Sequence, residues 1–348
     1  MDDLLLSEFN PVSELVVACN HKPKPKFKVY DIHTHMGSLL LGTDYAGKYN
    51  PVDYRERLEN LGIYHCNNLD GVWGDDLDAM LTHIKPIDDF VTTFVWVDTQ
   101  SIDDICFESN TREHLRQAYN KGARGIKMWK VISLAQKDKS GKYIRMDDDR
   151  LRVVYETAAE LGLVMLIHIA DPTAFFKPIT AQNERVEELG VNPDWSFCAP
   201  GLYKFHELME MQDNMIRKNP DTTFIMAHVG SYAENLAHVS ARLDEFPNMY
   251  VDTAARLAEL GRQPYTSRDF FIKYADRILF GSDCYPLGGF HHQMYYRFFE
   301  TFDEYFPYIS EDHAPDQGRW YIYGINLPDD ILKKIYHENA ERLMGLCR

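Results

Sequence analysis

Phe27-Lys28-Val29-Tyr30-Asp31-Ile32-His33-Thr34-His35 is the stretch on which the fold turns. It runs apolar and β-branched as a strand over Phe27 to Ile32, then presents two histidines one residue apart. A helical spacing follows over Tyr54 to Leu61 and stops at Gly62, so the opening unit is strand then helix. The same unit recurs down the chain. Further strands are predicted over Ile63 to Asn67, Phe90 to Val97, Arg124 to Met128, Leu163 to Ile169, Thr223 to Ala227, Met249 to Thr253 and Ile278 to Phe280. Helices are predicted over Asp75 to His83, Thr111 to Asn120, Asp148 to Leu161, His206 to Arg217, Tyr232 to Glu245, Thr266 to Tyr274 and Asp329 to Leu346. Eight βα units in that order make an α/β fold, a (β/α)8 TIM barrel.

Three stretches exceed a minimal barrel: residues 136–146, 171–203 and 285–327, read as insertions after strands four, five and eight. Loops after strands form the catalytic face of such a barrel, so these insertions should wall its pocket. The 348 residues divide into an N-terminal extension, 1–26, and one barrel domain, 27–348. A formal net charge of −16 argues against a partner bound through its phosphate backbone, because that affinity comes from Lys and Arg displacing counterions. Six scattered cysteines form neither a CxxC pair nor a disulfide framework, and reduced thiols in a cytoplasmic protein are the simpler expectation. Leu15-Val16-Val17-Ala18-Cys19 loosely resembles a lipoprotein cleavage box. A signal peptide needs a basic start, however, and this chain opens with Asp2 and Asp3 and is interrupted by Glu8, Pro11 and Glu14. No run approaches the ~20 apolar residues of a membrane span. The expected partner is a small-molecule substrate, with no nucleic acid and no membrane, and a homo-oligomer is allowed.

His33 and His35 stand at i and i+2 at a strand end, so both imidazoles can share a face and a transition metal. His168 ends strand five after Val164-Met165-Leu166-Ile167, and His228 ends strand six after Phe224-Ile225-Met226-Ala227. Asp283 follows Ile278-Leu279-Phe280-Gly281-Ser282 on strand eight, where a carboxylate can serve as ligand and proton acceptor. Taken singly, His168 or His228 reads more readily as a buried polar residue satisfied by hydrogen bonds, and the histidine pair alone is weak evidence; five such residues at the catalytic ends of strands one, five, six and eight read as a site. Lys127, in Gly125-Ile126-Lys127-Met128-Trp129, is ambiguous. Carboxylated, it would bridge a second ion held by His168 and His228; as an ammonium, it would bind a substrate anion or a neighbouring carboxylate.

These motifs, with Met226-Ala227-His228-Val229-Gly230 and Glu338-Asn339-Ala340-Glu341-Arg342-Leu343, resemble the amidohydrolase superfamily. More narrowly they resemble its amidohydrolase-2 branch, which includes aminocarboxymuconate-semialdehyde decarboxylase and related decarboxylases and hydratases. The resemblance implies a divalent metal, usually zinc, on His33, His35, His168 and Asp283, with His228 contacting substrate or the reacting water. The strand-four lysine matches two-metal members, while the decarboxylase branch commonly lacks it, which leaves one ion or two. The expected reaction is hydrolysis of an amide, ester or lactone with Asp283 as general base and acid; the alternative is a decarboxylase or lyase on the same barrel. Asp252 and Arg256 fall where substrate contacts are made, and Arg256 can hold a carboxylate. Trp129, Trp73 and Trp195 are candidates for the pocket wall, His291-His292 reads as a surface pair, and Cys284 as a small buried residue.

Overall fold

The computed structural model describes residues 4, 5, 8, 9, 11–309 and 317–346. Parts of the predicted extension and of the insertion 285–327, and Cys347, lie outside the described residues. Eight parallel strands stand in sequence order: β1 Val29–Thr34, β2 Ile63–Asn68, β3 Val91–Val95, β4 Gly125–Met128, β5 Val164–Ile167, β6 Phe224–Met226, β7 Met249–Asp252 and β8 Ile278–Leu279. Each lies where the alternation of apolar residues predicts, with ends moved by at most two residues. β8 returns to β1 through Ile32 N to Phe280 O (3.0 Å), Asp283 N to His33 O (2.9 Å) and His35 N to Cys284 O (2.9 Å), which closes the barrel. That seam carries three of the predicted site residues.

Two apolar layers follow from the alternation along the strands. Tyr30, Ile32, Leu69, Phe94, Val164, Leu166, Ile225 and Leu279 form one buried cluster. Neighbours one position away, among them Val29, Ile126, Met165, Ile167, Met226 and Val251, join the larger cluster with the helices. The helices start and stop on local chemistry. Asn50 caps Pro51–Asn60 by accepting from Val52 N, and Gly162, at φ 65°, ends Arg152–Leu161 in the left-handed conformation. Asn235 caps Leu236–Glu245, so this helix begins four residues later than its predicted start at Tyr232. The final helix is also not continuous: a π-helical turn, Lys334–Glu338, separates Asp329–Lys333 from Asn339–Leu343. The N–H of Phe280 donates to Ile335 O within that turn (2.9 Å), drawing a carbonyl out of the helical ladder towards β8.

The chain after β4 forms a short helix, Val131–Leu134, and an antiparallel bridge between Lys137 and Tyr143. After β5 it carries a helix, Val186–Val191, and after β8 a longer one, His292–Glu300. Among the described residues, no helix is long and apolar enough to cross a membrane.

Candidate metal centre

His33 and His35 lie with their ring centroids 5.4 Å apart. Asp283 Oδ1 approaches both, 3.1 Å from His35 Nε2 and 3.5 Å from His33 Nε2. One donor atom from each of the three falls within 4.8 Å of the others, a separation that one ion can span. Gly281 makes the approach possible, since a Cβ there would stand 2.9 Å from His33 Cβ. The imidazoles are buried, whereas the Asp283 side chain keeps 30% of its exposure and faces the mouth.

Each histidine is fixed from behind. His33 Nδ1 donates to Asp252 Oδ2 (2.8 Å) and His35 Nδ1 to Asp70 Oδ1 (2.8 Å), which turns both Nε2 atoms towards Asp283. A carboxylate behind a histidine is the arrangement that orients metal ligands and raises their basicity. The donor set therefore fits a divalent cation. His228 Nδ1 donates to Ala254 O (2.8 Å), so the neutral ring presents a lone pair at Nε2; its centroid is 4.9 Å from that of His33 and 4.3 Å from that of His168. His168 joins no three-donor cluster among the described residues. Its Nε2 instead meets Asp171 Oδ1 (3.2 Å), and Asp171 pairs in turn with Lys130.

Burial and the Lys127 charge hold His33 well below the usual histidine range, and burial with His168 and Arg256 does the same to His228. Burial takes His168 down to about 4 against the pull of Asp171. His35 goes the other way. Although burial opposes its charge, Asp70 and Asp283 raise it to about 9, as expected for an imidazole with a carboxylate at each nitrogen. Asp283 in turn is held well below the carboxylate range by His33 and the His35 hydrogen bond, against the upward push of burial. Lys127 is buried with Nζ 3.4 Å from His33 Nε2, and desolvation lowers it to about 8 although Asp252 and Asp283 oppose this. It forms no ion pair within 4.0 Å among the described residues.

Trp129 stacks on His35 at 5.4 Å and 28°, while Trp195 is 47% exposed and packs on Phe175 away from this cluster. Arg256 is buried and donates to Ala255 O. Two expectations are corrected. Asp252 offers substrate nothing, because it is fully buried and accepts from His33 Nδ1, His228 N (2.7 Å) and Ala254 N (3.1 Å). His292 is not a surface residue: it is fully buried against Asp31, with Nε2 3.0 Å from Oδ2, because the helix that it opens packs onto the β1–β8 seam. Sequence reasoning missed Asp70, Asp171 and the role of Asp252, although Asp70 and Asp171 follow predicted strands on the catalytic side and Asp252 lies at the end of one. Backbone strain also gathers here, with positive φ at His228 (58°), Val229 (56°), Ala255 (52°) and Asp283 (69°).

Solved structures share the fold at low identity. A dihydroxybenzoic acid decarboxylase from Polaromonas sp. JS666, with bound manganese and 2-nitroresorcinol, is 16% identical at a TM-score of 0.55, covering 92% of this chain and 98% of its own. A 2,6-dihydroxybenzoate decarboxylase from Rhizobium is 14% identical at 0.53, covering 92% and 99%. A 4-oxalomesaconate hydratase from Rhodopseudomonas palustris is 12% identical at 0.53, covering 91% and 95%. No curated protein matches the chain. The family model described as amidohydrolase matches residues 30–346, nearly the whole barrel with its clustered histidines and aspartate, and the chain belongs to that family of enzymes.

Proposed function

We propose that the chain is a metal-dependent hydrolase that adds water across an amide, ester or lactone bond of a small molecule. The supporting observation is the placement of Asp283: it is the partly exposed member of an otherwise buried cluster with His33 and His35. His33, His35, His168 and Asp283 would hold the cation, and zinc suits these nitrogen and oxygen donors. Bound there, a divalent cation would supply Lewis-acid charge that lowers the pKa of water towards about 7.

The chain's own groups handle the proton. Asp283 Oδ1 faces the imidazoles, leaving Oδ2 to take the proton of the attacking water and return it to the leaving group. His228, with its Nδ1–H committed to Ala254, accepts at Nε2 and orients that water. Trp129 would wall the pocket, and Arg256 would meet an anionic substituent of the substrate. Lys127, a buried amine with no ion pair among the described residues, would be open to carboxylation by carbon dioxide, which would add a second ion held by His168 and His228. Residues 27–348 act as one barrel domain, and the extension docks on it where Asn20 N donates to Asp303 Oδ2 (2.6 Å). Free Cys19, Cys66, Cys106, Cys198 and Cys284 support a reducing, cytoplasmic setting.

The test is turnover on a panel of esters, lactones and amides by the metal-loaded chain and by Asp283→Asn. The variant should lose about 100-fold or more in rate while its melting temperature without metal stays that of the metal-free parent. Carbon dioxide release from a carboxylated substrate, with no hydrolysis of any panel member, would replace hydrolysis by the lyase scheme.

A further inference from the structure

Asp31 and His33 are two residues apart on β1, yet they serve opposite sides of the strand layer. Asp31 meets the helix His292–Glu300 through His292, whereas His33 meets Lys127 and Asp283 inside the barrel. Plain alternation would put both on one face. The β1–β2 register shifts between Asp31 and Thr34, and such an irregularity re-aims the side chain that follows it.

The buried Asp31 carboxylate spans this irregularity. Its Oδ1 accepts from the backbone N–H of His33 (3.1 Å) and of Ser282 (3.1 Å), and its Oδ2 accepts from Ser282 Oγ and from His292 Nε2 (3.0 Å). Ser282 Oγ accepts in turn from Cys284 N (3.1 Å), so the residues on both sides of Asp283 are tied to one carboxylate. Asp283 itself sits at φ 69°, a conformation that a non-glycine residue keeps only when its surroundings enforce it. His292 has one hydrogen bond to give. Among the described residues its Nδ1 has no hydrogen-bond partner and its ring stacks on Phe280, so Asp31 is the one hydrogen-bond partner found for this fully buried imidazole.

We propose that His292 is a positioning residue for the metal centre: its Nε2–H holds Asp31, and Asp31 fixes both the β1 irregularity and the Ser282 turn that bring His33 to Asp283. The inference rests on the reading of His33, His35 and Asp283 as a metal site.

Mn2+ affinity, measured on the full chain by chelator competition alongside the melting temperature, tests this. His292→Phe keeps the ring stacking but withdraws the donor, and should weaken Mn2+ binding about 10-fold or more. His292→Gln gives up the stacking but restores an N–H to Asp31, and should return affinity to within about 3-fold of the parent, a recovery that a packing role would not produce. Ser282→Ala removes a second donor to the same oxygen and should weaken binding in the same direction, so the decision stands even if His292→Phe does not fold. Parental Mn2+ affinity in His292→Phe, or in Ser282→Ala should the former not fold, would overturn the inference and leave the metal site standing; so would His292→Gln binding as weakly as His292→Phe. A parent chain that binds no Mn2+ would remove both.

Discussion

At Gly281 the absent side chain matters more than any that is present. The nearest atoms to a Cβ there are those of His33 at 2.9 Å, Ala254 at 3.4 Å and Asp252 at 3.4 Å, so even a methyl group must push β8 away from β1. Gly281→Ala should cost about 1–3 kcal/mol in stability and also weaken metal binding, measured by denaturant unfolding and metal titration together. Unchanged metal affinity would mean that the seam yields without moving Asp283. Asp252 makes a complementary case. Both of its oxygens accept, one from His33 Nδ1 and the other from His228 N and Ala254 N, and an amide can accept through only one. Asp252→Asn should therefore weaken divalent-metal affinity by about 10- to 100-fold. That aspartate was visible in the sequence as a polar residue at a strand end; its partner was not, because His33 lies 219 positions away along the chain.

Among the elements, β2 carries a histidine unconnected with the site. His65 lies between Tyr30 and Phe90, with Nε2 2.9 Å from Thr92 Oγ1, and burial lowers it to about 4 against the weaker pull of Asp89. Between its unfolded value of 6.5 and about 4 the folded chain binds fewer protons than the unfolded one, so stability falls as pH drops through that window. The loss should be on the order of 3 kcal/mol at this position. Denaturant unfolding at pH 7 and pH 4 should show that part of the slope disappearing in His65→Gln; an unchanged slope would mean that the ring already charges in the fold. The final helix was read as continuous because its apolar spacing persists, and no local signal marks the turn at Lys334–Glu338 where β8 captures a carbonyl.

For the whole molecule, a cation held between separate strand ends stabilises the folded chain over the unfolded one. Loading to about 100 times its dissociation constant should add about 2.7 kcal/mol, read as a rise in melting temperature that a chelator reverses. A chain whose melting temperature ignores both metal and chelator would contradict a centre built by the fold. Stoichiometry of one ion or two, with intact-mass analysis for an added carboxylate on Lys127, then decides that residue's state. The eight-unit order was legible because apolar alternation and helical spacing are local properties, and the ordered polar residues at strand ends followed from it. Which atoms meet was decided by tertiary structure. The register shift in β1 reverses the side on which His33 emerges, Asp70 and Asp252 orient the imidazoles, and Asp31 ties β1 to Ser282 and His292, all through hydrogen bonds between segments far apart in the chain. Periodicity fixes which residues can line a barrel mouth; the aim of each donor atom depends on strand register and on buried partners that only the closed barrel brings together.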